Sequence, residues 1–151
     1  MPESIGSTTV VQVGIVTADI EKMIDTYMRV FGLLDRPVVR ETDTLDKTNM
    51  KYRGVPSEAR AKLAFIKMGQ VEIELMEPIG RPSTWSDFLD KHGDGVHHIA
   101  FRVEGGDKII SFLQGQGMPI DQQGDFPGGR YTTIDSASRL GVIIELLENY
   151  K

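Results

Sequence analysis

Two adjacent histidines, His97 and His98, open an apolar segment with the sequence GDGVHHIAFRV. The segment predicts a β-strand, in which successive side chains point to opposite faces. One imidazole should therefore face the packing layer while the other faces away from it. Imidazole binds divalent metal ions and transfers protons near neutral pH. The chemistry of this strand thus depends on which side chains meet the second ring.

Two pairs of related segments supply partners for that ring. VEIELME and VIIELLE agree at five of seven positions, which puts Glu74 and Glu145 at equivalent places. Gln12, in the strand-like segment VVQVGIVT, corresponds to His98 at an offset of 86 residues. The chain therefore contains an internal repeat that carries two polar residues in each half.

These repeat-related residues predict a metal site. Taken singly, a Glu in a strand usually faces solvent, and a His at the start of a strand usually has a structural role. As a set they supply oxygen and nitrogen ligands with two carboxylates, which suit one divalent ion such as Zn, Ni, Co, Mn or Mg. The predicted ligands are Gln12, Glu74, His98 and Glu145. His97 is predicted to face the other way, with a packing or supporting role, and His92 is predicted to lie on the surface.

The periodicity of the chain predicts the elements that carry these residues. Helical spacing follows the first strand in ADIEKMIDTYMRVFG, with Asp19 as the N-cap and Gly32 as the end. A shorter helix follows the histidine strand in GGDKIISFLQGQG. AKLAFIKM and RYTTIDS are further strand candidates, and ETDTLDKTNMKYRGVPSE is predicted to be a long loop of the first half. Each half is therefore predicted to form a strand, a helix and then about three strands.

The two halves are predicted to pack as one domain over residues 1–151, because neither half is large enough to form a sufficient hydrophobic core of its own. Module 1 spans about residues 9–78 and module 2 about residues 96–149. The linker, residues 79–95, contains a short helix in STWSDFLDKH.

Composition narrows the classes of function. The 151 residues are 40% hydrophobic and 26% charged, and they include no cysteine. A formal charge of −5 without a basic run argues against nucleic acid as a partner. No apolar run approaches the ~20 residues that a membrane helix needs. The start of the chain shows no export signal, and the lack of cysteine fits a cytoplasmic protein. The sequence thus predicts a cytoplasmic domain that acts on a small molecule.

From about Val10 to Glu148 the sequence resembles the vicinal oxygen chelate superfamily. The similarity is carried by VGIVTADIEKMIDTYMRVFGL, VEIELMEP, GDGVHHIAFRV and GVIIELLE, which are most similar to the methylmalonyl-CoA epimerase family. The resemblance implies an α+β fold in which two paired βαβββ modules form a half-open curved β-sheet cleft with helices packed outside. It also implies one divalent metal ion at the four predicted ligands, and a homodimer.

The resemblance implies a metal-dependent epimerase or isomerase. Such an enzyme removes and returns an α-proton next to the carbonyl of an acyl-CoA or another α-carbonyl compound. Glu145 is then expected to be both ligand and base, and Glu58 is the nearest match to a second base in the loop before the third strand. Arg53, Arg60 and Lys62 are candidates for holding an anionic group, although isolated basic residues more often lie on the surface.

The ligand types depart from the epimerase pattern, which usually has His at the position of Gln12 and often Gln at that of Glu74. The set Gln, Glu, His, Glu is similar to that of a subgroup of glyoxalase I enzymes, so a glyoxalase I-like lyase is one alternative. VGIVT and LMEPIG lack the Arg and Asn expected to hold glutathione, which favours the epimerase.

The same superfamily offers three more candidate functions. The first is a related enzyme on a non-CoA keto or sugar-derived substrate, and the second is a metal-free binding or resistance protein. Four intact ligands and an aromatic content of 7% count against the metal-free protein. The third is a ring-cleaving dioxygenase, which needs two His and one carboxylate for its iron, and Gln12 argues against it.

Overall fold

The computed structural model describes residues 3–150, so residues 1, 2 and 151 of the predicted domain lie outside the described part of the chain. Ten strands lie within residues 3–150: β1 (Gln12–Val16), β2 (Arg40–Glu41), β3 (Lys51–Tyr52), β4 (Val55–Pro56), β5 (Arg60–Met68), β6 (Val71–Ile79), β7 (Gly95–Arg102), β8 (Ile120–Phe126), β9 (Gly129–Ile134) and β10 (Ile143–Asn149). The same range contains five helices: α1 (Ile20–Phe31), α2 (Leu45–Thr48), α3 (Thr84–His92), α4 (Gly106–Gly115) and α5 (Ala137–Leu140). Of these helices, none is long and apolar enough to cross a membrane.

Within the described part of the chain, the strands join one sheet in the order β2-β5-β6-β1-β7-β10-β9-β8-β3-β4. The first half contributes β1, α1, β2, β5 and β6, and the second half contributes β7, α4, β8, β9 and β10. The predicted pairing of two βαβββ modules is therefore confirmed. β1 and β7 pair antiparallel, and each is parallel to the last strand of its own module. The sheet forms a curled, open half-barrel around a cleft.

The two long helices pack on the face of the sheet that is turned away from the predicted ligands. α1 packs against Leu75 of β6, and α4 packs against Leu146 of β10. Because side chains alternate along a strand, the neighbouring Glu74 and Glu145 point to the opposite face. Burial of the helices therefore turns both carboxylates into the cleft.

The structure confirms the two predicted ends of α1, Asp19 and Gly32. The side chain of Asp19 accepts a hydrogen bond from the backbone N–H of Lys22, and Gly32 adopts a left-handed conformation with φ of 62°. Ile20 and Ile24 lie one turn apart and are fully buried against the sheet. This apolar face holds α1 on the first module.

The predicted loop of residues 41–58 contains more structure than its sequence indicated. It holds α2 and the hairpin β3–β4, and β3 pairs with β8 of the other module, where Lys51 lies opposite Gln123. The hydroxyl of Tyr52 also donates a hydrogen bond to Asp87 of α3. The hairpin covers backbone groups that β8 would otherwise expose at its edge. These contacts are non-local, and two-residue strands have no periodicity that could predict them.

Candidate metal centre

Four neighbouring strands, β6, β1, β7 and β10, each carry one of the predicted ligands. Gly14 of β1 is the register partner of Glu74 on one side and of His98 on the other. Paired residues of adjacent strands project to the same face of a sheet, so both side chains enter the cleft beside Gly14. The ring of His98 lies over Gly14, where an added Cβ would overlap it.

The second module repeats this arrangement around Ala100 of β7. Gln12 and Glu145 are the register partners of Ala100 in β1 and β10. Ala100 is fully buried, and it follows Gly14 by the same 86 residues that separate Gln12 from His98. A small residue of each module, Gly14 or Ala100, therefore lies between two polar side chains. The small residues leave room for the polar ends of the four side chains to converge.

The polar ends converge on Nε2 of His98. That nitrogen lies 3.0 Å from Oε1 of Gln12, 3.5 Å from Oε1 of Glu74 and 3.6 Å from Oε1 of Glu145. All four residues are buried, with at most 8% of the surface of any one exposed. The structure thus brings together the whole set that the sequence selected.

A carboxylate that the sequence analysis did not select orients the amide of Gln12. Nε2 of Gln12 donates to Oε1 of Glu72, its register partner in β6, over 3.0 Å. The amide therefore presents its oxygen, rather than its N–H groups, to His98. The alternation in VEIELME does put Glu72 on the same face as Glu74, but only the pairing of β1 with β6 reveals its partner.

A β-bulge changes the expected position of His97. Gly14 pairs with His98, but the next pair of the ladder skips His97. The prediction that the two rings face opposite ways is therefore wrong, because both are buried and their Nδ1 atoms lie 3.0 Å apart. A bulge breaks the strict alternation on which that prediction relied. His92, in contrast, is exposed at the end of α3, as predicted.

The contact between the two rings determines which nitrogen of His98 faces the other ligands. Nε2 of His97 lies 3.0 Å from Oγ1 of Thr84. When Nε2 of His98 offers its lone pair to an ion, its Nδ1–H donates to Nδ1 of His97, whose Nε2–H then donates to Thr84. Hydrogen bonds of this kind hold a metal-binding imidazole in one tautomer and one orientation.

Burial shifts the pKa values of these groups towards their neutral forms. It raises the pKa of Glu74 to about 8, and the negative charge of Glu72 adds to the effect. Burial also raises the pKa of Glu145 well above its usual range, with a further contribution from Glu74. In the opposite direction, burial lowers the pKa of His97 to about 4 and the pKa of His98 well below its usual range. A cation among these groups would favour ionised carboxylates beside a neutral imidazole.

The donor set fits a divalent cation. Among the described residues, Glu74, His98 and Glu145 form a cluster whose ligand atoms lie within 4.8 Å of one another. Ligands about 2.1 Å from one ion stand roughly 3.0 to 3.4 Å apart in octahedral or tetrahedral geometry, close to the separations around Nε2 of His98. Two carboxylates, an amide oxygen and an imidazole lone pair all offer electron pairs, so the set suits a cation.

A cavity of about 770 Å³ adjoins these residues. Gln12, Glu74 and Glu145 line it, whereas His98 is fully buried behind them. Apolar side chains form much of the remaining wall: Met50, Leu63, Phe65, Met76, Trp85, Phe126 and Leu147. A small molecule in this cavity would therefore reach the ligand oxygens while it contacts apolar side chains.

The basic residues selected from the sequence do not line this cavity. Arg53, Arg60 and Lys62 instead pair with nearby acidic side chains. The cationic side chains at the cavity are Arg40 and Arg102. Arg40 lies in the two-residue strand β2, so no alternating pattern indicated the face on which it would lie.

Glu58, the predicted second base, does not line the cavity either, and its side chain is exposed. Four carboxylates outside the predicted set do line it: Glu41, Asp43, Glu72 and Asp125. The structure therefore does not bring Glu58 to the other selected residues, and its role as a base stays a prediction.

Comparisons with known proteins are consistent with this geometry. Residues 11–133 match the family model described as the Glyoxalase/Bleomycin resistance protein/Dioxygenase superfamily. The uncharacterized protein YqjC of Bacillus subtilis (strain 168) is 32% identical over 96 residues, which are 60% of this chain and 67% of that protein. The mitochondrial methylmalonyl-CoA epimerase of Dictyostelium discoideum is 29% identical over 93 residues, which are 61% of this chain but 47% of that protein.

A solved structure is similar over nearly the full length of both chains. The methylmalonyl-CoA epimerase from Mycobacterium tuberculosis is 25% identical with a TM-score of 0.63, and the match covers 100% of this chain and 93% of that chain. The family match itself extends over most of the chain, from β1 into β9. On this evidence the chain belongs to the glyoxalase/bleomycin resistance protein/dioxygenase superfamily.

Proposed function

We propose that the protein is a divalent-metal-dependent epimerase that removes and returns the proton on the carbon next to a carbonyl. Its proposed substrate is methylmalonyl-CoA or a similar 2-substituted acyl-CoA. The observation that carries the proposal is the convergence of Gln12, Glu74 and Glu145 on Nε2 of His98 beside the cavity. The names of two relatives, both methylmalonyl-CoA epimerases, support the choice of substrate.

The proposed reaction divides the work between a metal ion and the side chains that surround it. A divalent ion held by the four residues would supply the positive charge against which a substrate carbonyl oxygen becomes negative as the α-proton leaves. Glu145 would take that proton, because it lines the cavity and its carboxylate is too deeply buried to be stabilised by water. The apolar wall would exclude water that could compete for the proton.

Inversion of a carbon centre also needs an acid–base group on its other face. The resemblance to epimerases suggests Glu58 for this role. The geometry offers four alternatives that line the cavity together with Glu145: Glu41, Asp43, Glu72 and Asp125. We propose that one of these five carboxylates returns the proton: Glu58, Glu41, Asp43, Glu72 or Asp125.

A second candidate is an enzyme of the same superfamily that acts on a non-CoA keto or sugar-derived substrate. The charge of the cavity favours it. The only cationic side chains that line the cavity, among the described residues, are Arg40 and Arg102. Against them stand six carboxylates: Glu41, Asp43, Glu72, Glu74, Asp125 and Glu145. A single divalent ion would offset only part of this negative charge. The remaining negative charge would repel the phosphate groups of coenzyme A.

Deuterium exchange tests the proposal. In heavy water, the metal-loaded protein should incorporate deuterium at C2 of one enantiomer of methylmalonyl-CoA while that centre is inverted. Glu145→Gln keeps the size of the side chain but removes the base, so the exchange rate should fall by ~10²-fold or more, with a smaller loss of bound metal. Mass spectrometry and chiral analysis of the recovered thioester measure both events.

Glu104→Gln is the matched control, because Glu104 is exposed and does not line the cavity, and it should exchange at the parental rate. A loss in Glu58→Gln as large as that in Glu145→Gln would identify Glu58 as the second base. Formation of lactoylglutathione from methylglyoxal and glutathione, without exchange into the acyl-CoA, would show that the protein is a lyase and not an epimerase. Exchange into a keto acid but not into the acyl-CoA would favour the second candidate.

A further inference from the structure

Tyr131 of β9 lines the cavity together with Glu145 but is not one of the predicted ligands. Its ring packs against that of Trp85, with the ring centroids 6.1 Å apart. Gly124 lies opposite Tyr131 in β8, and a Cβ at that position would crowd the phenol. The sheet therefore has a defined place for this ring, between an aromatic neighbour and a residue without a side chain.

Hydrogen bonds determine the direction of the Tyr131 hydroxyl group. The backbone N–H of Thr84, the first residue of α3, donates to Oε1 of Gln122 over 2.8 Å. A backbone N–H can only donate, so the amide of Gln122 has a single orientation. Its Nε2 then donates to Oη of Tyr131 over 2.9 Å. The phenol oxygen is therefore the acceptor in this contact.

The hydrogen of that hydroxyl group remains available to a ligand. Within residues 3–150, no atom accepts a hydrogen bond from Oη of Tyr131. A tyrosine hydroxyl can donate one hydrogen bond while it accepts another, and the cavity is the space that this side chain lines. Thr84, which orients Gln122, also contacts His97 behind the candidate metal centre. The donor and the predicted ligands are thus anchored at the same end of α3.

We propose that Tyr131 donates a hydrogen bond to a substrate oxygen other than the one held at the candidate metal centre. Tyr131 thereby selects substrates that carry two separate oxygen acceptors, such as dicarboxylates and carboxylated thioesters. The inference rests on the proposed function, since it assumes that the substrate binds beside the four predicted ligands. It adds a residue that recognises the second end of the substrate and does not itself move the α-proton.

Binding of two simple carboxylates tests the inference apart from catalysis. Malonate has two carboxylate groups and acetate has one, and titration calorimetry on the Co²⁺-loaded protein measures the affinity of each. Tyr131→Phe removes only the hydroxyl group. It should weaken malonate binding by roughly tenfold or more, the scale of a hydrogen bond to a charged group, and should leave acetate binding unchanged. Tyr27→Phe, a change on α1 away from the cavity, is the matched control and should bind both carboxylates like the parent protein.

Gly124→Ala provides a second variant, because it crowds the phenol without removing it. It should also weaken malonate binding and spare acetate binding, with unchanged Co²⁺ content. Equal malonate affinity in the parent protein and Tyr131→Phe, or no malonate binding by the parent protein, would overturn the inference. If malonate discrimination depends on Tyr131 but no deuterium enters methylmalonyl-CoA, the recognition role stands and only the epimerase reaction fails.

Discussion

At the scale of single residues, the site depends on two small residues that cannot themselves bind a metal ion. Gly14 and Ala100 occupy the positions between the polar pairs in the central strands. Any larger side chain there would occupy the space into which the ligand atoms converge. The absence of a side chain at Gly14 is therefore as specific a requirement as the imidazole of His98.

Gly14→Ala should weaken metal binding by roughly tenfold or more, the scale seen when the support of a ligand is disturbed. The added Cβ overlaps the ring of His98, which is fully buried and has little space into which to move. Competition with a chelator measures the affinity. Gly115→Ala is the matched control, because a Cβ at Gly115 meets nothing within 4 Å. Equal affinity in both variants would mean that His98 is not held as the structure indicates.

At the scale of elements, the start of α3 organises one side of the cleft. Thr84 contacts both His97 and Gln122 at this helix end. Ser83, the N-cap, accepts from the backbone N–H of Ser86 over 2.9 Å, and the side chain of Ser86 accepts from the backbone N–H of Ser83 over 3.1 Å. This reciprocal pair satisfies donors that a helix start would leave unpaired.

Ser83→Ala should reduce the free energy of unfolding by ~1 to 2 kcal/mol, because Ser83 is fully buried and its cap would be lost. Metal affinity should fall as well, since Thr84 follows directly. Urea unfolding of the metal-free protein measures the first effect. Thr44→Ala is the matched control, because the N-cap of α2 makes no capping hydrogen bond through its side chain, and its effect should stay within about 0.5 kcal/mol. A loss of similar size in both variants would contradict the role given to the cap.

At the scale of the whole molecule, the candidate metal centre lies where the two modules meet. The first module supplies Gln12 and Glu74, and the second supplies His98 and Glu145, across the junction of β1 with β7. An ion at this place would link the modules, so metal binding and the stability of the fold should be coupled.

The metal-free protein should lose stability between pH 6.5 and 8. The pKa of Glu74 is raised from 4.5 to about 8 in the folded protein, so folding favours its protonated form. The stabilising contribution of that form is complete below pH 4.5 and is lost as the pH rises through the folded value. The pKa of His97 is lowered in the folded protein, so its opposite effect lies below pH 6.5. Melting curves at several pH values measure this dependence.

A bound divalent ion should reverse the trend, because it favours the ionised carboxylates. At a metal concentration about a hundred times the dissociation constant, the stabilisation should reach about 2.7 kcal/mol. At one fixed metal concentration it should be larger at pH 8 than at pH 6.5, because ionised carboxylates bind the ion more tightly. Glu74→Gln should flatten the pH dependence and reduce the effect of metal. His92→Ala, a change at an exposed histidine, should behave like the parent protein. A melting temperature that does not respond to Zn, Co, Ni, Mn or Mg would favour a metal-free binding protein.

Three features could be predicted from the sequence: the repeat, the order of the main helices and strands, and the four residues that converge. These features follow from local periodicity and from residue identity, which the chain carries wherever it folds. Asp19 and Gly32 bound α1 because capping depends on a few consecutive residues. Glu74 and Glu145 reach equivalent places because their strands are copies of one pattern.

The neighbours of each of these residues could not be predicted in this way, because they depend on how the strands pair in the folded protein. The bulge that turns His97 onto His98, the pairing of Glu72 with Gln12 and the place of Tyr131 beside the cavity all depend on contacts between distant strands. No local pattern encodes a shift of register or the face of a two-residue strand. The long-range pairing of β-strands selects these arrangements, because each strand must satisfy the backbone groups of its neighbour while its side chains fill the space that the neighbour leaves.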